Sequence, residues 1–200
     1  MTFDYERGIK MKKTFSHELL IYPCPIVLIT SKYKNIENVL AVSWAGVASS
    51  HPEYVTISIK KSRFSHTLIM KSKVFTINMI NKELLKKADY CGTYSAKSVN
   101  KFEKCGFTQL AGKHINVPMI KECPINIECS VCQTLELGSH TLIIGKVIGK
   151  FIDSNIYIDK LYESLDPVVY FRPNYYSINK TLLGTYGKMN EVIANNEEIF

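Results

Sequence analysis

The chain has 200 residues, of which 46% are hydrophobic and 22% charged, with a formal net charge of +7. This composition excludes a disordered chain, and the length suits one domain with a substantial core. The longest apolar runs are the length of a strand, far below the ~20 residues that span a bilayer. The acidic, polar start of the chain lacks the apolar stretch of a signal peptide, so we expect a soluble, cytoplasmic protein with no membrane partner.

Hydrophobic patterning in the first half predicts short strands separated by turns. The predicted elements are a short helix at 15–20, a strand at 26–30, a turn at 32–35, a strand at 39–47, a loop at 49–52 and an alternating strand at 54–59. A helix follows, and Ser65 is a favourable N-cap residue for its start.

The second half predicts two long strands that form a hairpin. The predicted elements are a strand at 74–80, helices at 82–90 and 98–105, with Ser98 or a neighbour as the cap, strands at 125–137 and 141–152 joined by a turn at 138–140, a strand at 168–171 and a polar tail at 189–200. A parallel doubly wound sheet would need a helix after nearly every strand. We therefore predict a mainly β fold with short helices, a Greek-key-like antiparallel barrel over 1–180, and a C-terminal extension over 181–200.

Six cysteines are expected to be reduced thiols with structural roles. The short pair Cys129 and Cys132 lies in a predicted strand, where residues three apart point to opposite faces. A zinc site combining this pair with Cys123 and His140 lacks a second close pair of ligands, so we predict no metal.

An anion site is indicated where a helix follows a strand at Arg63-Phe64-Ser65-His66-Thr67. Free N–H groups and the positive end of the helix dipole favour a phosphate there, and Arg63 adds charge-assisted hydrogen bonds. The alternative is an ordinary helix cap at Ser65 beside an exposed arginine.

Two further candidates are the segment around the single tryptophan, Trp44, and the turn that contains His140. Small residues beside Trp44 would let a flat ring approach the backbone, although a core tryptophan has the same pattern. A histidine in a tight turn can exchange a proton near neutral pH, but it is also a common surface residue.

Taken in order, these segments resemble the flavin-reductase-like family, the FMN-binding split barrels that include flavoredoxin. The matching segments run from about residue 14 to 151, with a weaker match to 176: Tyr22-Pro23-Cys24-Pro25, Asn38 with Val42-Ser43-Trp44, Ser49-Ser50-His51-Pro52, Arg63-Phe64-Ser65-His66-Thr67, Cys91-Gly92 with Lys101-Phe102, and Glu128-Cys129 with Gly138-Ser139-His140. The order and spacing carry the resemblance, since no single motif is specific. The chain departs from the family at Ser139, where aspartate is usual, and at Glu53, where a second proline is common.

The resemblance implies a homodimer with a flavin near the subunit interface. It implies that Arg63, Ser65 and Thr67 hold the phosphate, and that His140 is the catalytic residue on the nicotinamide side. The remaining residues it implies for cofactor binding are Asn38, Val42, Ser43, Trp44, Ala45, Ala48, Ser49, Ser50 and Lys101.

The resulting functional prediction is an NAD(P)H-dependent flavin oxidoreductase that passes hydride to flavin N5. FMN is expected rather than FAD, because a helix start with two hydroxyls suits a terminal phosphate. The first alternative is a flavoredoxin-like electron carrier that receives electrons from a redox protein partner. The second is a basic nucleic-acid-binding barrel, although the aromatic residues are not interleaved with the basic runs as stacking would require.

Overall fold

The computed structural model describes residues 21–156, 165–178 and 181–183. The strands are β1 (Cys24–Pro25), β2 (Val27–Tyr33), β3 (Ile36–Val42), β4 (Ala45–Ser50), β5 (Glu53–Lys60), β6 (Val74–Met79), β7 (Gln109–Leu110), β8 (Met119–Ile120), β9 (Ile125–Leu137), β10 (His140–Ile152), β11 (Val168–Phe171) and β12 (Asn174–Ser177). The helices are α1 (Phe64–Ser72), α2 (Leu85–Thr93) and α3 (Lys101–Lys104), and a 3-10 turn (Lys82–Leu84) precedes α2. The predicted helix at 15–20 and the tail at 189–200 lie outside the described residues.

The main sheet has seven strands in the order β3-β2-β6-β9-β10-β5-β4, and every neighbouring pair is antiparallel. The sheet curls back on itself, since β3 also approaches β5. A small sheet, β1-β11-β12, packs the end of the described chain against its beginning. The predicted mainly β, antiparallel split-barrel fold is confirmed.

The hairpin that the sequence predicts is present: a turn at Gly138 and Ser139 connects β9 to β10. Gly138 has φ of 63°, a left-handed conformation that glycine adopts without steric cost. The C-x-x-C pair lies in β9 with Cys129 buried and Cys132 exposed, and Cys132 falls at a register shift in the pairing of β9 with β10.

Several predicted bounds differ from the structure, and two of the differences have an evident cause. The single strand predicted at 39–47 is two strands, because β3 pairs with β2 whereas β4 pairs with β5, and the chain turns a corner at Ser43 and Trp44. The helix predicted at 98–105 begins only at Lys101, and the Asn100 side chain caps it by accepting a hydrogen bond from the Glu103 N–H. The partner strands therefore decide the first boundary, and the Asn100 cap decides the second.

The core has two parts, one on each face of the β2–β3 pair. Alternation along β2 sends Val27 and Ile29 into the barrel interior, where Phe75 and Ile143 are fully buried. Leu28, between them, faces outward against the layer formed by α2 and α3. The helices therefore cover the outside of the barrel next to β3.

A buried asparagine connects four strands inside this structure. The Asn78 amide donates to the Leu28 carbonyl (2.9 Å) and the Thr30 hydroxyl (3.2 Å). Its carbonyl accepts from the Ile120 N–H (3.0 Å) and the Asn126 amide (2.8 Å). Both the amide nitrogen and the carbonyl oxygen of Asn78 are hydrogen-bonded, so this side chain links β2, β6, β8 and β9.

Within the described ranges, no helix is long and apolar enough to cross a membrane.

Candidate functional site

Two cavities meet at the edge of the barrel between β3, β5 and the start of α1. The larger has a volume of about 980 Å³ and the smaller about 290 Å³. They share Leu40, Lys60 and Arg63, so they form one branched site. The cations Lys60, Arg63, Lys101 and Arg172 line it, and no aspartate or glutamate of the described residues does. Such a site favours an anionic ligand.

Lys101 is the buried cation of the small cavity, with 3% of its surface exposed. Its ammonium donates to the Cys91 carbonyl (2.7 Å) and the Val39 carbonyl (3.0 Å). An ammonium has three N–H donors, so one remains for a ligand. Burial is the main cause that lowers the pKa of Lys101, and the nearby Arg63 acts in the same direction. The negative charge of a bound anion would offset both effects.

Asn38 lines the same cavity and has an unpartnered acceptor. It is 2% exposed, and its amide nitrogen donates to the Ser65 hydroxyl at 2.8 Å. Its oxygen Oδ1 is buried and has no hydrogen-bond partner among the described residues. A buried acceptor without a partner is costly, so this atom fits a ligand that offers a hydroxyl group next to its anionic group.

The helix start differs from the predicted cap. Arg63 occupies the N-cap position with extended backbone (φ −75°, ψ 133°) and makes no side-chain cap, so the predicted N-cap role of Ser65 is wrong. Ser65 lies one residue inside the helix and is fully buried, where its hydroxyl accepts from Asn38 and from the Ser31 hydroxyl at 3.2 Å. The Ser65 hydroxyl therefore bonds to side chains of β2 and β3 instead of capping the helix.

The corner between β3 and β4 lines the large cavity with Val42, Ser43, Trp44 and Ala45. The Trp44 ring lies 4.5 Å from the ring of His140 between centroids, tilted by 37°. His140, the first residue of β10, also lines this cavity. Burial, followed by the charge of Lys60, lowers the pKa of His140, which favours its neutral imidazole.

The structure thus brings Asn38, the corner residues, Arg63, Lys101 and His140 into one site. The other predicted residues are placed elsewhere. Ser65 lies behind Asn38. Four more residues line neither cavity: Ala48, Ser49, Ser50 and Thr67. Contacts of these residues with a cofactor stay predictions.

The sequence did not predict several residues that line the two cavities. Lys60 ends β5 within a basic run that is typical of a solvated surface, and only its pairing opposite His140 places it at the site. Others come from distant parts of the chain and line the cavities through the packing of β1, β11 and the loop after α2: Tyr22, Ser95, Tyr170 and Arg172. No local signal in the sequence identifies them.

A second histidine lies beside the site, on α1. The Thr141 hydroxyl donates its single proton to Glu136 (3.0 Å), so the His66 Nε2, 2.9 Å away, must be the donor to Thr141. Glu136 is also paired with Lys61. Burial lowers the pKa of His66 despite the opposing effect of Glu136.

This shift predicts a loss of stability in mild acid. Because the folded-state pKa of His66 is below the unfolded value of about 6.5, the unfolded chain binds more protons in that range. The stability contribution is present above that pH and is lost as pH falls through the folded pKa. Urea unfolding midpoints at pH 7.5 and 5.5 measure it, and His66→Gln should reduce the difference between them. An unchanged difference would show that His66 does not titrate in this way.

Fold and site together define a split-barrel protein of the flavin-binding type. The chain belongs to the flavin-reductase-like family, since the flavin reductase like domain matches residues 19–179. An uncharacterized protein of Archaeoglobus fulgidus is 36% identical over 128 residues, which cover 64% of this chain and 72% of the relative.

Two solved structures have the same fold over nearly the whole chain. The flavoredoxin of Methanosarcina acetivorans matches with a TM-score of 0.85 and 26% identity, covering 92% of this chain and 100% of the other. The flavoredoxin of Desulfovibrio vulgaris (Miyazaki F) matches with a TM-score of 0.81 and 28% identity, covering 90% and 100%.

The two departures from the family pattern have visible local roles. Glu53 forms an ion pair with Lys150 at 2.6 Å across β5 and β10. Ser139 places its hydroxyl 2.8 Å from the Nδ1 of His140. Neither Glu53 nor Ser139 lines either cavity.

Proposed function

We propose that the protein binds FMN, with the phosphate in the small cavity and the isoalloxazine ring in the large one. The observation that carries this proposal is the small cavity itself: Lys101 and Arg63 without a carboxylate, beside the unpartnered Oδ1 of Asn38. A phosphate suits the cations, and a ribityl hydroxyl suits the asparagine acceptor. The residues present therefore fit the cofactor of the family.

In this proposal the residues of the two branches bind different parts of FMN. Lys101 and Arg63 neutralise and orient the phosphate, and the corner at Val42–Ala45 lies against the ring. The flavin, when bound, supplies the hydride-accepting N5 that no protein side chain offers. Trp44, 44% exposed, and His140 shield the ring from water on one side of the cavity.

We further propose NAD(P)H as the electron donor and His140 as the group that contacts it. Anaerobic addition of NADH or NADPH to the purified flavin-loaded protein should bleach the visible flavin absorbance. His140→Ala should retain the flavin and slow this bleaching, because the imidazole lines the large cavity rather than the phosphate branch. Equal rates in the parent and in His140→Ala would exclude this role.

The second candidate function is a flavoredoxin-like electron carrier. It is supported by the two flavoredoxin structures, which this chain matches over at least 90% of its length. The same titration separates the candidates. A carrier would keep its flavin oxidised with either nicotinamide and become reduced only with a redox protein partner.

We also propose that the protein forms a homodimer through the edge of its sheet. Among the described residues, strand β4 is the last strand of the sheet and pairs only with β5, and its Val47 is 81% exposed. An exposed apolar edge strand is a preferred place for pairing with another chain. Light scattering should give twice the mass of the chain, and Val47→Lys should shift it toward the monomer. A monomeric parent that retains flavin tightly would contradict this arrangement.

A further inference from the structure

The His140 ring makes two contacts, and one of its nitrogens takes no part in either. Its Nδ1 lies 2.8 Å from the Ser139 hydroxyl, and its face packs on Trp44. Its Nε2 has no hydrogen-bond partner among the described residues, although the ring lines the large cavity. Nε2 is therefore the ring nitrogen available to a ligand in that cavity.

We propose that Ser139 is a positioning residue for His140: its hydroxyl orients the ring so that an uncharged Nε2 faces the large cavity. The role of Nε2 toward a bound flavin or its donor rests on the proposed function. The orientation and the charge state are properties of the chain itself.

Charges around the ring favour the uncharged form. Lys60 is paired directly opposite His140 on β5, and Arg63 and Arg172 line the same cavity. The carboxylate of Glu136, on β9, is engaged by Thr141 and Lys61, next to His66. No acidic residue in the described part of the chain lines the cavity, so a second proton on His140 would meet only positive charges.

Serine at position 139 preserves this state, whereas aspartate would reverse it. A carboxylate beside Nδ1 accepts a hydrogen bond from the Nδ1–H and stabilises the imidazolium, which raises the histidine pKa. A hydroxyl can donate or accept, and it adds no charge. His140 of this chain is thus a neutral hydrogen-bonding group, not a fixed cation that would add to the attraction of an anionic donor.

Two-bond ¹H–¹⁵N spectra of the flavin-free full chain test this directly, because they report both the pKa and the tautomer of each imidazole. The chain has five histidines, and His140→Gln identifies the signal of His140. We expect a pKa below the ordinary ~6.5 in the parent, with the Nδ1 resonance of His140 shifted by its hydrogen bond to Ser139. Ser139→Asp should raise the pKa by about one unit or more.

Two neighbouring variants separate the hydroxyl from a general effect of substitution. Ser139→Ala should keep the low pKa but shift the Nδ1 resonance of His140, because the hydrogen bond at Nδ1 is lost, and Ser139→Thr should restore it. An unchanged Nδ1 resonance in Ser139→Ala, or an unchanged pKa in Ser139→Asp, would overturn the proposal. Because the spectra need no flavin, failure of flavin binding would be seen separately and would leave this result intact.

Discussion

Replacement of Asn78 by leucine should destabilise the flavin-free protein by about 3–5 kcal/mol, because it removes the centre of a buried polar network. The substitution leaves the Ile120 N–H without its acceptor and the Leu28 carbonyl and Thr30 hydroxyl without their shared donor. Each buried polar group left unpaired costs about 1–3 kcal/mol. The urea midpoint should fall steeply with little change in the slope of the transition.

The same strand provides a matched control. Thr76 is fully buried two residues before Asn78, and its hydroxyl has no hydrogen-bond partner within the described ranges. Thr76→Val removes a buried hydroxyl without breaking a hydrogen bond, so it should leave the stability unchanged or raise it by up to about 1 kcal/mol. Equal losses in Thr76→Val and Asn78→Leu would show that burial on β6, rather than the asparagine network, sets the cost.

Removal of the Arg63 guanidinium should weaken FMN binding while the fold remains intact. Arg63 lines both branches of the site and makes no side-chain helix cap, so Arg63→Ala removes the proposed phosphate contact and leaves the helix start unchanged. Losing a charge-assisted hydrogen bond to phosphate costs about 1.5–3 kcal/mol, or roughly ten- to a hundredfold in affinity. Fluorescence titration with FMN measures the loss, which should shrink at high salt.

Lys61→Ala is the control for net charge, since Lys61 is two residues away but is paired with Glu136 and lines neither cavity. It should retain the affinity of the parent. A comparable loss of FMN in Lys61→Ala would mean that the overall positive field, and not the Arg63 contact, attracts the cofactor. Unchanged binding in Arg63→Ala would place the phosphate elsewhere.

The sequence predicts elements with clear local patterns and fails where distant contacts decide. The strand at 125–137 has the bounds that its alternation predicts, and so does the strand at 168–171. The corner at Ser43 and Trp44 contains neither glycine nor proline, so nothing local marks the point where pairing changes from β2 to β5. Boundaries of this kind depend on partner strands.

The site shows the same division. Ser65 has the right residue type for an N-cap, but its hydroxyl is taken by Asn38 and Ser31, which are 27 and 34 residues away in the chain. Lysine is usually a surface residue, and only the family resemblance predicted that Lys101 belongs to the site. Its burial results from two backbone carbonyls that belong to β3 and α2. Long-range partners of this kind cannot be derived from spacing along the chain.

Titration of the flavin-free chain with FMN and with riboflavin tests the phosphate site most directly, because the two ligands differ only in that group. FMN should bind at least about tenfold more tightly than riboflavin, since the contacts proposed for Lys101 and Arg63 need a phosphate. FAD, whose phosphate continues into a second nucleotide, should also bind more weakly than FMN. Equal affinity for FMN and riboflavin, or no binding of either, would contradict the assignment of the small cavity.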